Sequence, residues 1–210
     1  MLLQSTLAEQ RTVLHNISWE TFEALLRDTG EDRGSRLAYD CGILEIMTPL
    51  FEHENPKIQF DRFIFALAEE VGVEIKSAGS TTLKRRLTNR GIEPDNCYYI
   101  QNEAAIRGQE TLNLETDPPP DLAIEIDITS SSVNKLGIYA ALGVNELWRY
   151  NGQDLKFYQL VEGQYIECSF SIAFPLIAVS DISRFMQQIK NMGEIALLKS
   201  FRICLREKIQ

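Results

Sequence analysis

The spacing of apolar residues in the first third of the chain predicts two helices. After Ser18, a residue type that caps helix N-termini, apolar residues recur three and four positions apart until Gly30. This pattern is typical of a short amphipathic helix. A wider apolar stripe over residues 58–71 follows Asn55-Pro56, a pair that is typical of a helix start, and Gly72 supplies a stop. We therefore expect a second, longer helix that begins at Pro56.

Alternation with a period of two predicts strands in the next part of the chain. Two alternating segments flank Cys41-Gly42, and this spacing predicts a two-residue hairpin turn. Turn signals at residues 78–80 and at Arg90-Gly91 separate three further extended segments. These segments are residues 73–76, 81–86 and 97–101.

Residues 121–128 carry the most informative alternation. The even-numbered residues are all aliphatic and face one way, whereas Asp121, Glu125 and Asp127 face the other way. Three like charges on a buried strand face are costly. Either the strand lies at an edge with its acids in water, or a divalent cation neutralises them, since carboxylate oxygens suit Mg²⁺ or Mn²⁺.

The last third of the chain predicts a helix, a hairpin and a terminal helix. Residues 129–132 offer several caps for a helix that continues to Gly143. Asn151-Gly152 predicts a hairpin, which a strand at residues 164–170 extends. A long helix follows from Ser180, with an interruption near Gly193 and an end near Glu207.

Composition favours an ordinary globular protein. Of the 210 residues, 44% are hydrophobic and 24% are charged, and no repeat divides the chain. We expect a single domain over residues 1–210, with a core at about 15–190 and a C-terminal helix at 180–207. Four widely spaced cysteines fit thiols in a reducing cytoplasm, and no apolar run is long enough for a bilayer. We therefore expect a cytoplasmic protein with no membrane partner.

The net charge bears on nucleic-acid partners. A formal charge of −9 argues against a protein that coats nucleic acid nonspecifically, yet it does not exclude a nuclease whose metal site concentrates acids. The basic segment Lys84, Arg85 and Arg86 is a candidate substrate-binding surface. The alternative is a solvated hairpin of alternating charge.

Two acidic motifs resemble a known nuclease superfamily. Glu93-Pro94-Asp95 leads into one strand, and Glu125 lies on the next long strand, before a segment that runs into a helix. This combination resembles the PD-(D/E)XK nucleases. Three stretches, residues 79–82, 93–100 and 138–144, resemble its Uma-type branch of restriction endonucleases. The resemblance implies a restriction-endonuclease-like α/β fold with an αβββαβ core, a mixed central sheet flanked by helices, and additional β-hairpins.

The same resemblance implies a metal site. Asp95 and Glu125 would bind a Mg²⁺ or Mn²⁺ ion that activates water for attack on a phosphodiester. The superfamily has a lysine two residues after the second acid, where this chain has Asp127. Lys135, the only lysine of the following helix, can supply the ammonium group; its alternative role is an exposed lysine in the first turn. Asp127 is then a metal ligand or a partner for Lys135 or an arginine.

Three further residues are candidates for the same pocket. His53 and Glu54 precede the Asn55-Pro56 pair, where the superfamily often places another acidic metal ligand. Acids also occur at helix N-termini because the macrodipole favours them, which is the alternative reason for their presence. Tyr139 lies four residues after Lys135 on the same helix face, so it either hydrogen-bonds a site group or packs in the core.

These observations predict metal-dependent phosphodiester hydrolysis by an endonuclease whose substrate is DNA. Two alternatives stay open. One is a catalytically degenerate module that binds nucleic acid or protein, and the other is a phosphodiesterase for RNA or small substrates. Because duplex cleavage needs one active site per strand, we also expect a two-fold homodimer. The apolar segment from Ser180 onward would form its interface, or alternatively cover its own sheet.

Overall fold

Two β-sheets and six helices make up the described part of the protein, residues 10–30, 33–49, 51–128 and 131–210 of a computed structural model. Side chains are described for all of these residues except 51–53. The elements in chain order are β1 (Gln10–Leu14), α1 (Trp19–Thr29), β2 (Arg36–Asp40), β3 (Ile43–Thr48), α2 (Phe51–Val71), β4 (Lys76–Ser77), β5 (Leu83–Arg85), β6 (Arg90–Ile92), β7 (Asn96–Tyr99), α3 (Glu103–Ile106), β8 (Leu122–Ile126), α4 (Lys135–Leu142), β9 (Glu146–Tyr150), β10 (Leu155–Val161), β11 (Gln164–Cys168), α5 (Val179–Gln188) and α6 (Glu194–Ile209).

The larger sheet has six strands in the order β11-β10-β9-β8-β7-β4. Its strands β8 and β9 run parallel and its other pairs run antiparallel. The smaller sheet is antiparallel throughout, in the order β1-β3-β2-β6-β5. A mixed central sheet with added hairpins confirms the fold class that the sequence predicts.

The layers explain which face of each strand is buried. Helices α2, α5 and α6 cover one face of the larger sheet with a core that includes Phe63, Trp148 and Phe201. Helix α4 lies between the two sheets and packs on both, through residues such as Tyr139. Helix α1 covers the outer face of the smaller sheet with Phe22. The site described below therefore lies between two sheets.

Strand β8 is central and fully buried. Ile124 and Ile126 pack into the core beneath α2, whereas Ala123 packs into the core beside α4. Glu125, on the same face as Ala123, is also buried. The alternative in which the acids of this strand lie at a solvated edge is therefore wrong.

Several local predictions are confirmed. Ser18 caps α1 by accepting a hydrogen bond from the Thr21 N–H group. Cys41 and Gly42 form the two-residue turn, with φ angles of 49° and 99°. Both values lie in the left-handed region that the mirror-image hairpin turns require.

Other predictions of element boundaries are wrong. Helix α2 begins at Phe51 rather than at Pro56. The helix tolerates this proline because the proline lacks only one N–H donor and lies in the second turn, close to the helix end where backbone N–H groups already lack intrahelical partners. Arg90-Gly91 lies in β6 rather than in a turn. A Cβ atom on Gly91 would lie 2.7 Å from the Phe22 ring, so this glycine permits close packing of α1 on the sheet.

The start of α4 also differs from the prediction. Its cap is Asn134, whose side chain accepts a hydrogen bond from the Gly137 N–H group, rather than a residue in 129–132. Thr129 and Ser130 of that segment lie outside the described residues. The sequence pattern did not predict β1 or α3.

The C-terminal segment is helical with an interruption near Gly193, as predicted, and the two parts are α5 and α6; α6 ends at Ile209 rather than near Glu207. Phe185, Leu197 and Phe201 are buried against α2 and the larger sheet, so this segment covers its own sheet. Ile195 and Ile203 remain exposed on α6. The homodimer stays a prediction, which sedimentation would check. Among the described helices, none is both long and apolar enough to cross a membrane.

Candidate active site

Two buried acids meet where β7 and β8 pair. Asn96 is opposite Ile124 in this antiparallel pair, so the next position along brings Asp95 beside Glu125. The Asp95 carboxylate accepts a hydrogen bond of 2.7 Å from the Ile126 N–H group. Asp95 is 3% exposed and Glu125 is 2% exposed. Both line one internal cavity of about 10 Å³, and Lys135 lines it too.

Lys135 is the first residue of α4, and it points into the acid cluster. Its Nζ atom lies 2.6 Å from Glu125 Oε2 and 2.7 Å from Asp127 Oδ1. The side chain is only 8% exposed. The alternative of an exposed lysine in the first turn is therefore wrong, and the displaced lysine does reach the acid on β8.

Tyr139 and Arg149 complete the contacts of this cluster. The Tyr139 hydroxyl donates to Glu125 Oε1, so both Glu125 oxygens are hydrogen-bonded. Tyr139 is also fully buried in the core, so both of its expected roles hold together. Arg149 Nε lies 2.8 Å from Asp127 Oδ2. Asp127 is thus a partner of a lysine and of an arginine.

The protonation of the cluster reflects burial and charge. Burial, together with the charges of Asp95 and Asp127, raises the pKa of Glu125 to about 7 against the opposing effect of Lys135. Burial would also raise the pKa of Asp127, but Lys135 and Arg149 outweigh it and the pKa is lowered. For Lys135, burial is outweighed by the surrounding acids, so its pKa is raised. The ammonium group is therefore permanent, and Glu125 is the group that titrates near neutrality.

The smaller sheet contributes two charged residues that sequence reasoning missed. Arg36 on β2 places its Nε atom 3.3 Å from Asp95 Oδ1. Glu45 on β3 also lines the cavity and is buried. It accepts hydrogen bonds from Arg11, from the Ser131 hydroxyl at 2.9 Å and from the Ser132 N–H group at 2.6 Å. Glu45 thus ties the smaller sheet to the segment that leads into Lys135.

One signal could have pointed to Glu45. It stands in the middle of the aliphatic segment 43–47, on the strand face that carries Ile43 and Met47. A lone acid on an apolar strand face needs a buried partner. The sequence offered no comparable signal for Arg36, which opens its strand.

The remaining predicted site residues whose side chains the structure describes do not line the cavity. Glu54 lies in α2 and is partly exposed, and the side chain of His53 lies outside the described residues. Lys84 forms an ion pair with Glu23 at 3.0 Å, and Arg86 pairs with Glu20 and Glu23. Arg85 donates to the Leu114 carbonyl group. These three cations bind other parts of the same chain.

The donors at the cavity fit a single divalent cation. No three His, Cys, Asp or Glu side chains among the described residues form a ready-made metal cage. Mg²⁺ does not need one, since it commonly binds one or two carboxylates and takes its other ligands from water and substrate phosphate. A volume of about 10 Å³ accommodates one water-sized species. Asp95 and Glu125 are two of the carboxylates that line this cavity, and their oxygens are donors of the kind that such an ion prefers.

Comparison with solved structures supports the architecture. The chain is similar to a crystal structure from Anabaena variabilis described as "a putative nuclease belonging to DUF820". The two are 15% identical, with a TM-score of 0.54 over 81% of this chain and 99% of the other. At this identity the likeness shows the fold alone.

Comparison of the sequence identifies the family. The family model Uma2, described as "Putative restriction endonuclease", matches residues 19–187. No curated protein matches the chain significantly. The match confirms the resemblance that the two acidic motifs indicate. Because it covers well over half of the sequence, this chain belongs to the Uma2 family.

Proposed function

We propose that this protein is a Mg²⁺-dependent or Mn²⁺-dependent endonuclease that hydrolyses phosphodiester bonds in DNA. One observation carries the proposal: carboxylates from two neighbouring strands and a buried ammonium group line the same cavity. Family membership supports nuclease chemistry, and we infer that this cavity is where the chemistry takes place.

Asp95 and Glu125 would hold the ion in this proposal. When bound, the cation lowers the pKa of a water molecule and stabilises charge on the phosphoryl oxygens. Glu125 must first lose its proton, since a protonated carboxyl group is a poor ligand. The Tyr139 hydroxyl fixes the Glu125 carboxylate in one orientation. The Ile126 N–H group does the same for Asp95.

Lys135 would act on the water and on the developing charge. Its ammonium group is held by two acids and therefore keeps a defined position beside Glu125. A fixed positive charge at this place favours hydroxide over water and stabilises negative charge on the phosphate. Arg149 keeps Asp127 ionised, so that Asp127 can hold Lys135 in place.

A second candidate function is non-catalytic binding of nucleic acid or protein. The observation that favours it is that each acid already has a cationic neighbour, with Arg36 beside Asp95 and Lys135 beside Glu125 and Asp127. Such a cluster is electrostatically satisfied without a metal.

Cleavage of supercoiled plasmid DNA in Mg²⁺, in Mn²⁺ and in EDTA tests the proposal. We expect metal-dependent conversion to nicked or linear DNA, and a loss of at least about a thousandfold in rate for Glu125→Gln. Lys199→Gln, an exposed change on α6, is the matched control and should cleave normally.

Three outcomes would contradict the proposal in different ways. Cleavage that persists in EDTA or in Glu125→Gln would place the chemistry elsewhere. DNA binding without cleavage would support the second candidate. Cleavage of labelled RNA or of a small phosphodiester in preference to DNA would keep the site and change its substrate.

A further inference from the structure

A row of charged side chains crosses the larger sheet from the acid cluster toward solvent. Strand pairing places Glu125 opposite Arg149, and Arg149 opposite Lys156 on β10. Residues directly opposite one another project from the same face of a sheet. With strands about 4.8 Å apart, the row from β8 to β10 is about 10 Å long. It begins with a buried acid and ends with two cations.

These two cations are available to an external anion. Arg149 is 36% exposed and Lys156 is 50% exposed. Arg149 uses Nε for Asp127, and its two terminal nitrogens have no hydrogen-bond partner among the described residues. Lys156 pairs at 2.9 Å with Glu167, an exposed contact of the kind that contributes little. Like charges directly opposite in a sheet repel, so an anion between them would stabilise both.

An open cleft lies over this part of the row. Its volume is about 530 Å³, and its lining includes Arg149, Lys156, Tyr158 and the turn at residues 151–154. Asp127 also lines the cleft, and its second oxygen binds Lys135. The cleft therefore reaches from solvent to the ion cluster of the proposed active site. Asp154 also lines the cleft, and its Oδ2 atom accepts a hydrogen bond of 3.4 Å from the side-chain amide of Asn151.

We propose that Arg149 and Lys156 bind the backbone phosphates that neighbour the scissile one in a DNA strand. The inference rests on the proposed function and adds the residues that hold the substrate. Arg149 and Lys156 lie on adjacent strands, about 4.8 Å apart, and successive phosphates of one DNA strand rise about 3.4 Å along the duplex axis, so the two cations can contact one phosphate or two neighbouring ones. The basic segment at residues 84–86 is a poorer candidate because Lys84 and Arg86 line a different cleft, and that cleft does not include Asp127 or another residue of the ion cluster.

Binding of a fluorescein-labelled DNA duplex in EDTA, measured by anisotropy over a range of KCl concentrations, tests this role without cleavage. Lys156→Gln should weaken binding about three- to tenfold and reduce the slope of log K against log salt by about 0.9, as expected for one lost phosphate contact. Arg149→Gln should act in the same direction. Because Arg149 also donates to Asp127, a loss of binding in Arg149→Gln could come from a change in the ion cluster. Lys156→Gln is therefore the variant that tests phosphate binding.

Two matched variants separate phosphate binding by Lys156 from loss of its ion pair and from a general effect of net charge. Glu167→Gln breaks the same ion pair but keeps the lysine, so it should bind DNA at least as tightly as the unchanged protein. Lys199→Gln removes a positive charge from α6, which covers the opposite face of the sheet, and should leave the slope unchanged. Equal weakening by Lys156→Gln and either control would overturn the inference.

The failure of this inference is distinguishable from failure of the proposed function. If the unchanged protein cleaves DNA with metal while Arg149→Gln and Lys156→Gln keep its affinity and salt slope, the inference is wrong and the function stands. If the unchanged protein neither binds nor cleaves DNA, both are wrong.

Discussion

The two ends of the parallel strands β8 and β9 bury acids in different ways. Where the strands begin, Asp121 accepts hydrogen bonds from the Ile100 and Asn102 N–H groups, and Glu146 accepts them from Ile172 and Ala173. At the other end, Glu125 and Asp127 are held by the side chains of Lys135 and Arg149. One end uses neutral, mostly backbone donors, and the other uses cations.

The difference separates a structural role from a chemical one. Backbone N–H groups cannot leave their acid without moving the chain, so Asp121 and Glu146 hold two loops in place. Ammonium and guanidinium groups sit on rotatable side chains and bring positive charge to their acids. Only the end with Glu125 therefore gathers the acids and cations that the proposed metal site uses.

The largest effect is expected when the cation of the charged end is removed. Lys135→Met leaves Glu125 and Asp127 buried without their shared partner, so stability at about pH 8 should fall by about 3–5 kcal/mol. Without the lysine, the native pKa values of both acids rise, and that of Glu125 moves further above its unfolded value. The variant then loses stability as pH rises, so the difference in unfolding free energy between the variant and the unchanged protein should be smaller near pH 5 than at about pH 8.

Urea denaturation at the two pH values measures this effect. Lys199→Met, which removes an exposed lysine from α6, should change stability little at either pH. If Lys135→Met loses the same unfolding free energy at both pH values, the acids do not depend on Lys135 for their charge.

A smaller effect is expected at the neutral end. In Glu146→Gln, an amide N–H₂ group would face either the Trp148 indole N–H group or the three donors on the other oxygen. Unfolding free energy should fall by about 1–3 kcal/mol, the usual cost of an unsatisfied buried group. Metal-dependent cleavage per folded molecule should not change. A large loss of cleavage in the folded variant would erase the distinction between the two ends.

The smallest effect is the pH dependence that Glu125 gives to the charged end. Because the folded pKa of Glu125 is raised from 4.5 to about 7, its contribution to stability is present at low pH and is lost as pH rises through this interval. Mn²⁺ binding needs the ionised form, so affinity measured by calorimetry should fall up to about tenfold per pH unit below about pH 7. Glu146→Gln should keep this dependence. A flat profile between about pH 5.5 and 8 would remove Glu125 from the metal site.

The sequence best predicted those features of the structure that depend on residues close to one another in the chain. The alternation around Glu125 and the Cys41-Gly42 turn express local backbone rules, and both are confirmed. Lys135 could be selected because its helix holds no other lysine. Its burial brings an ammonium group to the acid on β8, as the resemblance implied it could.

Residues that reach the site through long-range packing were not predictable. Arg36 and Glu45 belong to the other sheet, and no local pattern states which faces of two sheets will meet. Arg149 stands between Trp148 and Tyr150, so its strand indicated only core packing. Its place opposite Glu125 follows from strand register, which the sequence of one strand does not contain.

The contacts of Glu45 have a consequence for the order of folding. Its bonds to Ser131 and Ser132 close a loop of more than eighty residues, with sequence separations of 86 and 87. Closing so long a loop is slow and entropically costly, and it becomes favourable only after each sheet has formed its own short-range contacts. We therefore expect the acid cluster, which residues of both sheets line, to be completed when the sheets dock rather than within either sheet alone. A chain with both sheets formed but not docked would lack the contacts between Glu45 and the segment that leads to Lys135, so we expect any activity of the proposed site to appear only after the sheets dock.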